Sequence, residues 1–103
     1  EKDRKFHELS NEVLKEADIV YMTRVQQERF EDRAEYERLK DVFILDAEKA
    51  SKMKSDAIIL HPLPRVDEIA TDVDALPQAK YFEQARNGVP IRMTLIARAL
   101  ELI

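Results

Sequence analysis

Cysteine is absent from this sequence, which excludes disulfides, thiolate nucleophiles and thiolate metal sites together. Histidine is scarce: only His7 and His61 are present, and two imidazoles offer little to a metal ion. No apolar run approaches the roughly 18 residues that would suggest a membrane span. The charged stretch over residues 1–5 lacks the apolar core of a signal peptide, so the expectation is a soluble cytoplasmic protein. Basic residues are outnumbered, 17 Lys and Arg against 21 Asp and Glu, and the net charge of -4 is scattered rather than gathered into a stripe. Phosphate backbones require such a basic stripe, so nucleic acid is a poor partner.

What remains is an ordinary globular composition. Of the 103 residues, 45% are hydrophobic and 37% charged with both signs interspersed, which describes a folded chain with a well-solvated surface rather than a disordered one. That length supports one hydrophobic core and not two, so the chain is one domain or a piece of one. Internal repeats and low-complexity segments are lacking.

Phe6, Leu9, Val13, Leu14 and Ala17 recur at helical spacing and predict an amphipathic helix over residues 1–17. Ile19, Val20, Tyr21 and Met22 suit a buried strand that delivers Thr23, Arg24, Val25 and Gln26 at its end. Residues 28–40 are nearly all polar, with Phe30, Tyr36 and Leu39 as the large exceptions, and predict an exposed, mobile helix and loop. Residues 42–45 read as a short extended piece. Asp46 stands at the N-cap of a helix predicted over residues 47–53, and residues 57–60 form a second buried strand ending in His61-Pro62-Leu63-Pro64-Arg65. Asp74 followed by Pro77 predicts the start of another helix carrying Tyr81 and Phe82. Asn87-Gly88 is expected to break it, and Pro90 to begin a last helix with Ile91, Leu95, Ala99 and Leu102 on its apolar face.

Strands alternating with helices argue for a parallel α/β unit with a right-handed crossover. Two strands cannot make a stable doubly covered sheet, so further strands, most simply upstream of Glu1, are expected to complete it. Ligands of open parallel sheets bind beyond the carboxyl ends of the strands, where both unusual segments lie. Arg24 is a fixed cation with a planar fork of donors, and Gln26 can donate and accept two positions on; together they suit a carboxylate. Glu28 could accept from the guanidinium and hold it in one orientation. The alternative is a surface arginine paired with Glu28 and nothing more. In the second segment, Pro62 and Pro64 fix the chain and withdraw two backbone donors, leaving carbonyls open to a ligand; the alternative is an ordinary strand-terminating loop.

The runs Tyr21-Met22-Thr23-Arg24-Val25-Gln26-Gln27-Glu28-Arg29 and Leu60-His61-Pro62-Leu63-Pro64-Arg65-Val66-Asp67-Glu68-Ile69, followed by Tyr81-Phe82 and Asn87-Gly88, resemble the catalytic chains of the aspartate carbamoyltransferase family. The likeness covers residues 17–102, and the proline-rich motif is its most specific part. It implies that the chain is the carboxy-terminal part of an aspartate-binding domain. The fold implied is a parallel-sheet, Rossmann-like three-layer α/β domain with helices on both faces. Two carboxy-terminal helices are expected to end it, the last, over about residues 90–103, packing on a carbamoyl-phosphate domain outside the chain.

By the same resemblance, Arg24 and Gln26 bind the side-chain carboxylate of aspartate, Glu28 and Glu68 orient Arg24, and Arg65 holds the strand-end loop. The carbonyls of Pro62 and Leu63 accept from amino groups at the reacting centre, and the Pro-Leu-Pro spacing predicts a cis Leu63-Pro64 bond. Residues 29–36 match the family's mobile loop, in which a tyrosine at the place of Tyr36 pairs with the aspartate at the place of Asp67. This chain has one residue more between Arg24 and Tyr36, a departure that bears on that pairing. His61 invites a role as general base, but the family's catalytic histidine lies in a segment absent here, and a structural role at the strand end is expected. The acidic stretch over residues 67–74 lacks the central glycine and alternating oxygen ligands of a calcium loop, and Tyr81-Phe82 reads as helix packing.

The implied reaction transfers a carbamoyl group from carbamoyl phosphate to the amino group of L-aspartate, in de novo pyrimidine biosynthesis, without metal or organic cofactor. The implied assembly is a homotrimer of the full catalytic chain, with regulatory subunits as candidate further partners. The fragment alone is expected to be inactive, because no carbamoyl-phosphate site can be built from the residues present. Two rivals stand beside this reading. An ornithine-type carbamoyltransferase would favour a cysteine in the second motif, where Pro62 stands; a non-catalytic α/β interaction module would use its acidic helices to bind a protein.

Overall fold

The two short β-favouring runs pair directly. In the computed structural model, which describes residues 4, 6, 8–24, 31–39 and 43–103 and only the backbone of Leu39, β1 (Ile19–Tyr21) and β2 (Ile58–Leu60) lie parallel. The register sets Ile19 against Ile58, Val20 against Ile59 and Tyr21 against Leu60. Hydrogen bonds from Ile58 N to Asp18 O (3.0 Å) and from Met22 N to Leu60 O (2.8 Å) close the ladder at its two ends. On its other side β2 carries one further parallel bridge, Ile59 to Ala79, made by Ile59 N to Gln78 O (2.8 Å) and Lys80 N to Ile59 O (3.0 Å). Ile59 is therefore the centre of the sheet and fully buried.

The described residues form four α-helices, α1 (Asn11–Glu16), α2 (Arg33–Leu39), α3 (Ala47–Ala50) and α4 (Tyr81–Ala99), with a 3-10 turn at Thr71–Ala75. Of the helix predicted over residues 1–17, the described residues show α1, while residues 1–3, 5 and 7 lie outside them. Ser10 is extended and its hydroxyl accepts from Val13 N at 3.3 Å, so the chain turns helical only after it. Asp46 caps α3 as predicted, accepting from Lys49 N at 2.8 Å. That helix is shorter than the expected run over residues 47–53, because Lys52 N and Met53 N bond three residues back and tighten its end.

Two further expectations are corrected. Asp74 caps no helix: it lies inside the 3-10 turn, and its carboxylate is drawn instead to Arg65 and Tyr81. Nor do two helices end the chain, since α4 runs through Asn87, Gly88 and Pro90 without interruption. Asn and Gly cost only about 1 kcal/mol or less each in a helix, and proline's fixed φ is itself helical. The strong helix formers on both sides outweigh the one bond that Pro90 cannot make.

Leu14, Val20, Met22, Leu45, Ala50, Met53, Ala57, Ile59, Ile69, Val73 and Tyr81 form one buried cluster under the sheet and short helices. Fully burying a large aliphatic side chain contributes about 1.5–3 kcal/mol. A parallel bridge between Leu45 and Ile69 ties the extended piece before α3 to the segment after the proline motif, with Leu45 N to Glu68 O and Ala70 N to Leu45 O both at 2.9 Å. That bridge brings Glu68 beneath the strand ends. No helix among the described residues is long and apolar enough to cross a membrane.

Candidate functional site

Because β1 and β2 are parallel and in register, the segments that follow them leave the sheet at the same edge. After β1 come Met22, which is buried, and then Thr23 and Arg24, both exposed. Arg24 is already engaged in an interaction of its own. Gln26 and Glu28 lie outside the described residues. After β2 comes the proline motif, whose Leu63-Pro64 bond is cis, as predicted. Leu63 has φ 53, in the left-handed region where a side-chain-bearing residue costs about 1–2 kcal/mol. Its N–H donates to His61 Nδ1 at 2.7 Å, which holds the turn. Among the described residues, nothing donates to the carbonyl of Pro62 or of Leu63.

Under this turn lies a small buried network. His61 is 1% exposed, and its Nε2 meets Glu68 Oε1 at 2.7 Å. Glu68 Oε2 accepts from Val66 N at 3.1 Å. Burial pushes the Glu68 carboxyl up, but its own backbone N–H, His61 and Val66 N–H outweigh burial and carry it below the usual carboxylate range. The orienting contact from Glu68 to Arg24 implied by the resemblance is not among these bonds. His61 N donates to Gln84 Oε1 at 2.9 Å, and Gln84 Nε2 donates to Tyr21 OH at 3.0 Å. Gln84 thus links the two strand ends from α4.

Arg65 is half-buried beside this turn and is paired with Asp74. Its guanidinium grips both oxygens of Asp74, Nη2 to Oδ2 at 2.7 Å and Nη1 to Oδ1, and Tyr81 OH donates to the same Oδ1. The cation also stands over the rings of Tyr81, 5.6 Å from its centroid, and Phe82, at 5.9 Å. The Asp74 hydrogen bond raises Arg65 further above its ordinary value, and Arg65 in turn holds Asp74 below the usual carboxylate range. Burial, reinforced by Asp74, pushes the Tyr81 phenol up to about 12. One fork of donors therefore ties the proline motif to the 3-10 turn and to the first residue of α4.

Of the remaining expected site residues, Tyr36 is half-buried on α2 and engaged, and Asp67 is exposed in the loop after Arg65. Sequence reading had no role for Gln84 and took Asp74 for a helix cap. Neither carries a local signal, because their partners lie 23 and 9 residues away. Tyr81 is fully buried, as helix packing required, and its ring meets Phe82 edge-on at 4.8 Å. Among the described residues no group of three or more His, Asp or Glu could hold a metal ion.

A parallel sheet with an arginine segment and a proline turn following its strands at one edge is of the α/β, Rossmann-like class, in which ligands bind beyond the carboxyl ends of the strands. The chain belongs to the aspartate/ornithine carbamoyltransferase family: residues 1–99 match the model of its Asp/Orn binding domain. It is 58% identical over 85 residues to the aspartate carbamoyltransferase catalytic subunit of Sulfurisphaera tokodaii, covering 82% of this chain and 28% of that protein. With the catalytic subunit of Brachyspira hyodysenteriae it shares 57% over 102 residues, 96% of this chain and again 28% of the relative. The aspartate transcarbamoylase of Trypanosoma cruzi, solved with carbamoyl phosphate, superposes with a TM-score of 0.80 at 40% identity, over 88% of this chain and 30% of that one. The catalytic subunit of M. jannaschii aspartate transcarbamoylase superposes at 0.73 with 48% identity, over 84% and 28%. The chain thus spans under a third of the length of the relatives it matches.

Proposed function

We propose that this chain is the carboxy-terminal part of the aspartate-binding domain of an aspartate carbamoyltransferase catalytic chain. It supplies the aspartate side of a site that transfers a carbamoyl group from carbamoyl phosphate to the amino group of L-aspartate. The observation that carries this reading is the shared strand edge. It supports the reading because the segments carrying Arg24 and the proline motif both follow parallel, in-register strands, and the Pro62 and Leu63 carbonyls accept nothing from the described residues. Arg24, with Gln26, binds the side-chain carboxylate of aspartate. Glu28 orients Arg24, and Glu68 assists, since each carboxylate oxygen can accept a second hydrogen bond. The Pro62 and Leu63 carbonyls accept from the amino groups at the reacting centre, while Arg65 holds the loop that bears them. Tyr36 and Asp67 belong to the loops that rearrange as the site closes.

Catalysis then comes from holding two anionic substrates in contact and stabilising the charge that develops on the carbonyl oxygen and the departing phosphate. No metal or organic cofactor is called for. The carbamoyl-phosphate site belongs to the rest of the full chain, which acts in pyrimidine biosynthesis as a cytoplasmic homotrimer, with regulatory subunits as candidate partners. The 57–58% identity to the catalytic subunits above favours aspartate over ornithine as acceptor. The test is an assay of the full-length protein with carbamoyl phosphate and either amino acid. Carbamoyl aspartate as product is expected; turnover with ornithine alone moves the chain to the ornithine branch, and turnover with neither refutes the proposal.

A further inference from the structure

The bonds around His61 define its protonation. A backbone N–H can only donate, so the 2.7 Å contact from Leu63 N makes Nδ1 the acceptor and leaves that nitrogen without a proton. The ring proton then sits on Nε2 and is donated to Glu68 Oε1 at 2.7 Å. The contact is therefore a hydrogen bond from a neutral imidazole to a carboxylate, not an ion pair. An imidazolium would set a second N–H against that of Leu63. Both ends of the ring are thus committed, and Gln84 Oε1 accepts from the His61 backbone N–H at 2.9 Å, which fixes where the ring starts. The residue gripped by Nδ1 is the one with φ 53, flanked by the two carbonyls that accept nothing from the described residues.

We infer that His61, held by Glu68 and Gln84, is a positioning residue: its Nδ1 fixes the Leu63 N–H, and with it the left-handed turn that presents the Pro62 and Leu63 carbonyls to a ligand. The ligand half of this statement rests on the proposed aspartate site; the turn half does not. A merely structural role would make the buried contact with Glu68 the important one, and two substitutions separate the roles. In His61→Asn the short amide can accept from the N–H two residues on, an Asx-turn bond that replaces Nδ1, but it cannot reach Glu68. In His61→Gln the longer amide can donate toward Glu68 but cannot close the turn.

The experiment uses the full-length protein, with 15N-labelled histidine and amide exchange followed at Leu63. The expected spectrum at neutral pH is that of a neutral imidazole protonated at Nε2. Slow exchange at Leu63 should survive in His61→Asn and be lost in His61→Gln and His61→Ala. For aspartate, KM should stay within about threefold in His61→Asn and rise about tenfold or more in His61→Gln, with carbamoyl phosphate binding unchanged in both. An imidazolium, an Nδ1-protonated ring, or equal Leu63 exchange in the Asn and Gln variants overturns the inference whatever the protein catalyses. Altered exchange with identical aspartate KM in the two variants overturns its ligand half. Absence of carbamoyl transfer by the unsubstituted protein refutes the aspartate reading instead and leaves the turn to be decided by spectrum and exchange.

Discussion

Arg65 and Arg24 show how differently one kind of side chain can be placed within one small fold. Arg65 is anchored: a bidentate grip on Asp74 and two aromatic rings leave it one geometry, and its charge serves the fold. Arg24 is exposed after β1 and is the cation we propose for substrate. A charge-assisted hydrogen bond to a carboxylate contributes about 1.5–3 kcal/mol, so Arg24→Ala in the full-length protein should raise aspartate KM by roughly tenfold to a hundredfold. Lysine should rescue poorly, lacking the planar fork. Separate saturation curves for aspartate and carbamoyl phosphate check this, and normal aspartate kinetics would return Arg24 to a surface role. The Asp74 carboxyl, held low by Arg65, contributes stability that is present above the ordinary carboxylate range and lost as pH falls through its own depressed value. Asp74→Asn should therefore lower the urea midpoint at neutral pH and flatten its decline in acid. Tyr81 has the opposite sense: stability is kept below pH 10 and lost as pH rises toward about 12. Tyrosinate absorbance should show one late transition near pH 12 that Tyr81→Phe abolishes.

The strands and α4 divide stability from projection. Val20 and Ile59 face the core while Ile19 and Tyr21, over half exposed, do not. Ile59 lies between β1 and the Ala79 bridge with no exposed surface, so Ile59→Ala should cost about 2–5 kcal/mol in equilibrium denaturation, whereas Ile19→Ala should change little. In α4, only Tyr81 of 19 residues is buried, and Phe82, Val89, Ile91, Met93, Leu95 and Ile96 are all exposed. Its continuity through Pro90 leaves one helical bond unmade, at a cost of up to about 3 kcal/mol. Pro90→Ala should accordingly raise helicity at 222 nm and the thermal midpoint. A fall in both would mean that Pro90, which lines a shallow apolar groove with Ile91, Thr94 and Leu95, packs against something worth more than the missing bond.

The described residues, 49 × 38 × 35 Å across, combine one well-buried cluster with a long helix that leaves most of its apolar residues uncovered. We propose that α4 packs on the carbamoyl-phosphate domain of the full chain. The 103-residue chain alone should then bind a hydrophobic dye strongly and produce no carbamoyl aspartate, while the full-length protein should do the reverse. Measurable turnover by the short chain would refute the division of the site between two domains.

Much of this was legible from local pattern. The two apolar runs, the Asp46 cap and the proline motif each act over a few residues, so their physics is present in the linear sequence. What could not be read there depends on partners far apart in the chain. Asp74 followed by Pro77 has the form of a helix start, yet the carboxylate is claimed by Arg65 and Tyr81, because a bidentate charged pair outcompetes a local cap. Asn87, Gly88 and Pro90 have the form of a break, yet each penalty is smaller than the summed preference of the helix around it. The sequence alone determined the two strand runs and the proline motif that follows the second; only the tertiary structure decided the partners of His61, because the N–H on Leu63 and the carboxylate on Glu68 are brought to opposite sides of its ring by folding.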